Sequence, residues 1–370
     1  MVFETDAIIV GAGAVGLACA RAFAARGHET IVLEREAGIG QGVSSRNSEV
    51  IHAGLYYPTG SLKARFCTIG RALLYSFLEL HQVNHAKCGK LVVATEAEEV
   101  PRLEALLHQA QTNGVPGLRL ISGDEARELE PQLRAVAAIV SPESGVMDSH
   151  GYMEALAGEL SARGGAIALN TPFAGAEARP EGGFIVRTGG EHATEVVTRH
   201  LVIAAGLGAQ AAAGSIAGYP TEKIPRLHYG KGVYFALTGK APFERLVYPL
   251  PIPGALGTHY RRDLGGQGRF GPDLDFVEGE DYSVDPARAP AFYDTIRRFW
   301  PDLPDGALVA DYAGIRPKLH GPGEPVPDWR IDTQAVHGLP GLVAMFGVES
   351  PGLTASLAIG EAVAGELTQA

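Results

Sequence analysis

Residues 6–35 read DAIIVGAGAVGLACARAFAARGHETIVLER: an apolar run, a glycine turn, an alanine-rich stretch and a second apolar run. The run AIIV is β-branched at three of its four positions and predicts a short strand buried on both faces. Gly11, Gly13 and Gly16 follow in GxGxxG spacing and open a helix that Gly27 ends, after which TIVLE predicts a second strand finishing at Glu34. The first glycine permits the tight turn, the second lets backbone N–H groups approach a pyrophosphate, and the third lets helix and strand pack closely. The helix start adds partial positive charge. Glu34 is placed to accept hydrogen bonds from a ribose diol, and its negative charge disfavours a 2′-phosphate. GxGxxG alone is a weak signal; inside a complete strand–turn–helix–strand unit it is a strong one for an adenine dinucleotide.

Bulk composition removes other classes. The 370 residues are enough for two domains or one large domain with an insertion. With 31 Lys+Arg against 42 Asp+Glu, a formal charge of −11 and no basic run, nucleic acid is not an expected partner. Cys19, Cys67 and Cys88 lack CxxC or zinc spacing, which points to a reducing compartment and no metal site. Acidic Glu4 and Asp6 precede the first apolar run, where a signal peptide would be basic, and Ala7–Ala20 is too short to span a bilayer. The expected location is the cytoplasm.

After Glu34 the chain departs from a simple NAD-enzyme pattern. It runs into SSRNSEVIHAGLYYPTGSLKARFC (44–67), long, irregular and rich in hydroxyl, imidazole and phenol groups beside glycines. Such a strip suits the lining of a large planar cofactor, and a dinucleotide site at the start of the chain suits FAD. Asn47 to Cys67 resembles the pattern NSGVIHxGxYYxPGSLKAxxC of the L-2-hydroxyglutarate dehydrogenase/oxidase branch of the D-amino-acid-oxidase-like FAD oxidoreductases. KCGKLVVAT (87–95), ELEPQL (128–133), AAIVSPESGVMD (137–148), VIAAGLGA (202–209) and ESPGLTASLAIG (349–360) continue the similarity in order. Glu49 replaces the branch's usual Gly, Lys231 in HYGKGVYF its Arg, and GIRPKL (314–319) is closer to the glycine-oxidase pattern GLRP.

The resemblance implies an α/β (α+β) architecture: a Rossmann-like FAD domain with an interleaved, mostly antiparallel substrate domain. Boundaries are expected at 1–84, 146–214 and 325–370 for the first and at 85–145 and 215–324 for the second. Helical spacing predicts helices over 70–83, 96–113, 148–165 and 286–300.

Within that frame Gly11, Gly13, Ala14, Val15 and Gly16 would cradle the pyrophosphate, and Glu34 and Arg35 would meet the adenosine. Ser44, Ser45, Arg46, Asn47 and Ser48 would line the cofactor, followed by His52, Ala53 and Gly54. Phe173, Ala205 and Gly206 would close on the dinucleotide from later segments. Gly347, Glu349, Ser350, Pro351, Gly352, Leu353 and Thr354 precede a last apolar helix, whose N-terminal N–H groups would stabilise negative charge on a reduced flavin. Arg316 is the candidate to grip a substrate carboxylate bidentately and to adjoin the cofactor. Its alternative is a salt bridge within the sheet. Tyr248, in the spacing Tyr-x-x-Pro to Pro251, would assist it, or else be a core aromatic. His259 and His52 compete as proton acceptor, since neutral imidazole suits that role; His259 would share a strand face with Gly257 and Arg261. Tyr57, Lys63 and Lys231 complete the substrate-binding candidates.

The expected activity is oxidation of a small 2-hydroxy acid, a dicarboxylate such as L-2-hydroxyglutarate, to the 2-oxo acid. Electrons would pass to oxygen or a quinone, with weak peripheral membrane contact left open. Two alternatives stand beside it: an amine or D-amino-acid oxidase of glycine or sarcosine type, and a dinucleotide-binding regulatory protein without turnover.

Overall fold

Strand Phe3–Val10 sits at the centre of a parallel sheet, pairing with Thr30–Leu33 on one side and Glu195–Ile203 on the other. Ala166–Ala168 extends the first edge and Leu342–Phe346 the second, all parallel. Helix Ala14–Ala25 is the crossover between the first two strands. The half-turn after Val10 therefore opens at the carboxyl ends of the central strands, where ligands of such sheets bind. An antiparallel ribbon, Phe173–Ala178 and Phe184–Thr188, continues from the first half of Glu195–Ile203. The computed structural model describes residues 3–250 and 258–368; Pro251 and Gly257 lie outside them.

The last helix, Gly352–Thr368, packs against both Ala14–Ala25 and Leu62–Leu80. These backbones approach so closely that a Cβ at Gly360 would come within 2.5 Å of the Ala18 carbonyl, and one at Gly70 within 2.6 Å of the Thr354 carbonyl.

A second nine-stranded sheet is built from residues 90–141 and 228–318. Its longest pair, His228–Leu237 with Leu308–Lys318, is antiparallel, as are the others except Lys90–Ala94 with Leu246–Pro249. Phe235, Phe243, Tyr260, Phe270 and Phe299 fill its own core. Val50–Ile51, Gly145–Met147 and His85–Ala86 form a small third sheet.

The helix expected from residue 70 begins eight residues earlier, at Leu62. The Ser61 hydroxyl accepts from the Ala64 N–H, and Asp328 accepts from the N–H groups of Leu62 and Lys63. A cap supplied from residue 328 has no local signature. SLKARF thus belongs to a helix rather than to the wrapped strip.

Candidate active site

At one end of a cavity of about 740 Å³, the glycine turn is shaped by exclusion. Gly11 has φ +105°, and a Cβ at Gly16 would lie 1.9 Å from the Gly11 carbonyl. The Gly13 position faces Ser44, whose Oγ accepts from the Ala14 N–H at 3.1 Å. Glu34 accepts from the Ala12 N–H at 2.7 Å and from the Glu36 N–H at 3.0 Å. Arg35, Phe173, Ala205 and Gly206 also line this end.

The strip from Arg46 to Glu49 is gripped by the second sheet one residue at a time. Gly314 packs so tightly that a Cβ there would sit 2.2 Å from the Arg46 carbonyl. Tyr312 donates to the Asn47 carbonyl at 2.6 Å, and its ring stacks on Tyr234, which hydrogen-bonds Ser48. Arg261 bonds the Tyr312 hydroxyl at 3.0 Å and pairs with Glu49 at 3.4 Å. The Glu that departs from the branch pattern is thus half of an inter-sheet ion pair. It holds a left-handed backbone, φ +56°, where Gly is the relaxed choice. Arg261 is consequently not available to the cavity.

The middle of the cavity carries the titratable groups. Tyr248 and His259 stack face to face, centroids 3.8 Å apart at 7°. Burial first, then the charges of Lys90 and Arg316, push His259 down to about 3. Burial, Lys90, His259 and Arg316 likewise hold His52 well below the imidazole range. Both rings are therefore neutral near pH 7. They are not equivalent. His52 is tied to the last helix: its N–H donates to Thr354 Oγ1 at 3.0 Å, and its Nε2 lies 3.3 Å from Ser350 Oγ, which also bonds Tyr57. Among the described residues the His259 ring nitrogens have no hydrogen-bond partner.

Arg316 and Lys318 lie two apart on one strand and both face the cavity, as the two-residue period requires. Glu349 meets Lys318 Nζ at 2.8 Å, Lys63 Nζ at 3.7 Å and Arg316 Nε at 3.8 Å. Burial alone would raise the Glu349 carboxyl, but Lys318, Arg316 and Lys63 together pull it below its ordinary value. Three cations around one carboxylate leave two positive charges unneutralised at this wall.

Two expected substrate contacts are corrected. Lys231 points to the other face of its strand, away from Gly232 and Tyr234 of the cavity wall, and pairs with Asp281 at 2.7 Å. Lys63 is buried behind the wall, donating to the Pro327 carbonyl and contributing charge without lining the cavity. Gly16, Ala53, Gly54, Gly347 and Thr354 are also set behind the lining rather than in it, and Ser45 is exposed outside it. Tyr57, Tyr248, His52, His259 and Arg316 all face it. Lys318, Tyr56 and Tyr234 join them unexpected, although alternation from Arg316 would have found Lys318.

A sequence profile described as DAO, FAD dependent oxidoreductase, matches residues 6–366. The chain belongs to the DAO family. Its relatives include the mitochondrial L-2-hydroxyglutarate dehydrogenases of Arabidopsis thaliana, 42% identical over 98% of this chain and 83% of that one, and of Caenorhabditis elegans, 31% identical over 98% and 92%. In fold it is similar to FAD-bound L-alpha-glycerophosphate oxidase from Mycoplasma pneumoniae, with TM-score 0.85, 24% identity and coverage of 97% and 94%. Glycine oxidase from Geobacillus kaustophilus follows, with TM-score 0.82, 21% identity and coverage of 100% and 95%. As a DAO-family member the protein is an FAD-dependent oxidoreductase. Its own cavity fits that cofactor: a turn left clear by the missing side chains of Gly11 and Gly13, a carboxylate at Glu34, and a lining that runs from Val10 to the turn at 348–353. Ser44 and the glycine turn would hold the pyrophosphate, Glu34 the ribose, and the 46–52 strip with Ser350–Leu353 the ring system. Among the described residues no helix is long and apolar enough to cross a membrane, and no group of His, Cys, Asp or Glu could hold a metal.

Proposed function

We propose that this DAO-family enzyme oxidises L-2-hydroxyglutarate to 2-oxoglutarate. The observation that carries the substrate is the surplus positive charge of Arg316, Lys318 and Lys63 around Glu349, facing an uncharged His259. A dicarboxylate neutralises that surplus; a zwitterionic amino acid, bringing its own cation, does not. The names of the Arabidopsis and Caenorhabditis relatives support the same substrate. FAD, when bound, would supply the acceptor for the hydride at Cα. Arg316 grips the carboxylate next to that carbon and so sets which hydrogen is presented. His259 takes the hydroxyl proton. Its low basicity in the ligand-free cavity stems partly from Lys90 and Arg316, and a bound dianion offsets both, so basicity rises when substrate arrives. Tyr248 holds the imidazole plane by stacking. Electrons leave to oxygen or to a quinone, and the three free cysteines fit a reducing compartment such as the cytoplasm.

The test is anaerobic titration of the purified yellow protein, followed in the visible spectrum. L-2-hydroxyglutarate should bleach the flavin, and the D-enantiomer, glycine, sarcosine and D-amino acids should not. Bleaching by an amine instead would assign the amine-oxidase alternative, and no bleaching by any of them a binding protein. Reoxidation by air or by a soluble quinone identifies the acceptor.

A further inference from the structure

Lys90 begins strand Lys90–Ala94 behind the cavity wall. It is fully buried, and its Nζ has no hydrogen-bond partner among the described residues. A lone ammonium out of water is costly. Its compensation is aromatic: Nζ lies 3.9 Å from the Tyr248 ring centroid and 5.5 Å from that of Tyr56. His259 covers a face of Tyr248 at 3.8 Å, which leaves no space there for an ammonium at 3.9 Å. Lys90 therefore takes the opposite face, and Lys90, Tyr248 and His259 form a three-layer column. The two rings front the cavity; the lysine does not.

We propose that Lys90 is a positioning residue: through the Tyr248 ring its charge orients His259 and biases the form of the imidazole that meets substrate, without touching substrate itself. The proposal takes His259 as the proton acceptor of the function above. The groups facing Lys90 are Cys67 on helix Leu62–Leu80, Cys88 just before the strand, and the phenols of Tyr56 and Tyr248; burial raises all four, so none supplies a counter-charge near neutrality. His259 faces Lys90 and Arg316, with His52 nearby. Burial also pushes Lys90 itself down to about 7. The column is thus charged on the acid side of neutrality and loses that charge above it.

The experiment follows the ring nitrogens of His259 by NMR in FAD-loaded, ¹⁵N-histidine-labelled protein from about pH 2 to about pH 9, with His259→Gln supplying the assignment. Unaltered protein should show His259 neutral across most of the range, with a small inflection near pH 7 as Lys90 loses its proton. Lys90→Met, which keeps length and removes only the buried charge, should lose the inflection. Its His259 midpoint, and the acid limb of kcat/KM for L-2-hydroxyglutarate, should move up by roughly half to one pH unit. Lys90→Arg should return the midpoint to its original position. No inflection in the unaltered protein, or the same His259 midpoint in folded Lys90→Met, overturns the proposal. The first of these needs no variant to fold. An inflection in a protein that oxidises no 2-hydroxy acid would overturn the function and leave the coupling of Lys90 to His259 standing.

Discussion

Replacing Arg316 by Met tests the substrate grip directly. The guanidinium lies 3.8 Å from Glu349, beyond hydrogen-bond range, so it is held in place without being consumed by that partner. A hydrogen bond between two charged groups contributes about 1.5–3 kcal/mol, so losing it from the transition state lowers kcat/KM by about 10- to 150-fold. The fold should not follow, because Glu349 keeps Lys318 at 2.8 Å and Lys63 at 3.7 Å. FAD content and melting temperature should therefore stay near those of the parent. The assay is the anaerobic rate of flavin reduction against substrate concentration, run with L-2-hydroxyglutarate and with a 2-hydroxy acid that lacks the distal carboxylate. If Arg316 holds the carboxylate next to the reacting carbon, both substrates lose the same factor. Arg316→Lys should recover part of the loss, since it restores charge but not the two-pronged geometry. A loss confined to the dicarboxylate would move Arg316 to the distal end, and a loss under about threefold for both would refute the reasoning.

Glu49 separates backbone strain from ion pairing. Glu49→Gly and Glu49→Ala both remove the partner of Arg261, but only Ala keeps a side chain at φ +56°, so Gly should be the more stable by about 1 kcal/mol in denaturant titration. Acid should destabilise the protein from about pH 6.5 downward. His52 and His259 titrate lower in the folded chain than unfolded, so below the unfolded value the unfolded state binds more protons, and stability falls until the folded value is passed. His259→Gln should flatten that slope in melting curves taken across pH. Gly314→Ala forces a Cβ to within 2.2 Å of the Arg46 carbonyl and should weaken FAD retention by about tenfold or more on dialysis, while leaving far-ultraviolet circular dichroism unchanged.

The parallel sheet and its cradle were legible because their cause is local: the AIIV strand, the glycine spacing and Glu34 lie within 30 residues of one another. The antiparallel character of the second sheet was legible only through the resemblance, since its longest pair joins residues 228–237 to 308–318. The contacts between the sheets were not. Glu49 is explained by Arg261, 212 residues away, and the start of helix Leu62–Leu80 by Asp328, 266 away. Lys231 faces away from the cavity; a two-residue period divides the faces of a strand without saying which one meets the cavity. Lys90 stood in a quoted motif, KCGKLVVAT, with no role attached to it. Only the two aromatic rings packed over its ammonium distinguish it, and those come from the loop at Tyr56 and the strand at Tyr248.

Chain order in the parallel sheet bears on how the holoenzyme is made. The central strand is synthesised first, its inner neighbour Glu195–Ile203 mid-way, and Leu342–Phe346 with the Gly352–Thr368 helix near the end. The turn at Ser350–Leu353, which completes the cofactor cavity, comes from that final stretch. A nascent chain still lacking it has a glycine cradle with no opposing wall. Flavin capture must then wait until that late stretch has folded onto the earlier ones, so the cofactor meets an apoprotein whose two sheets are already joined.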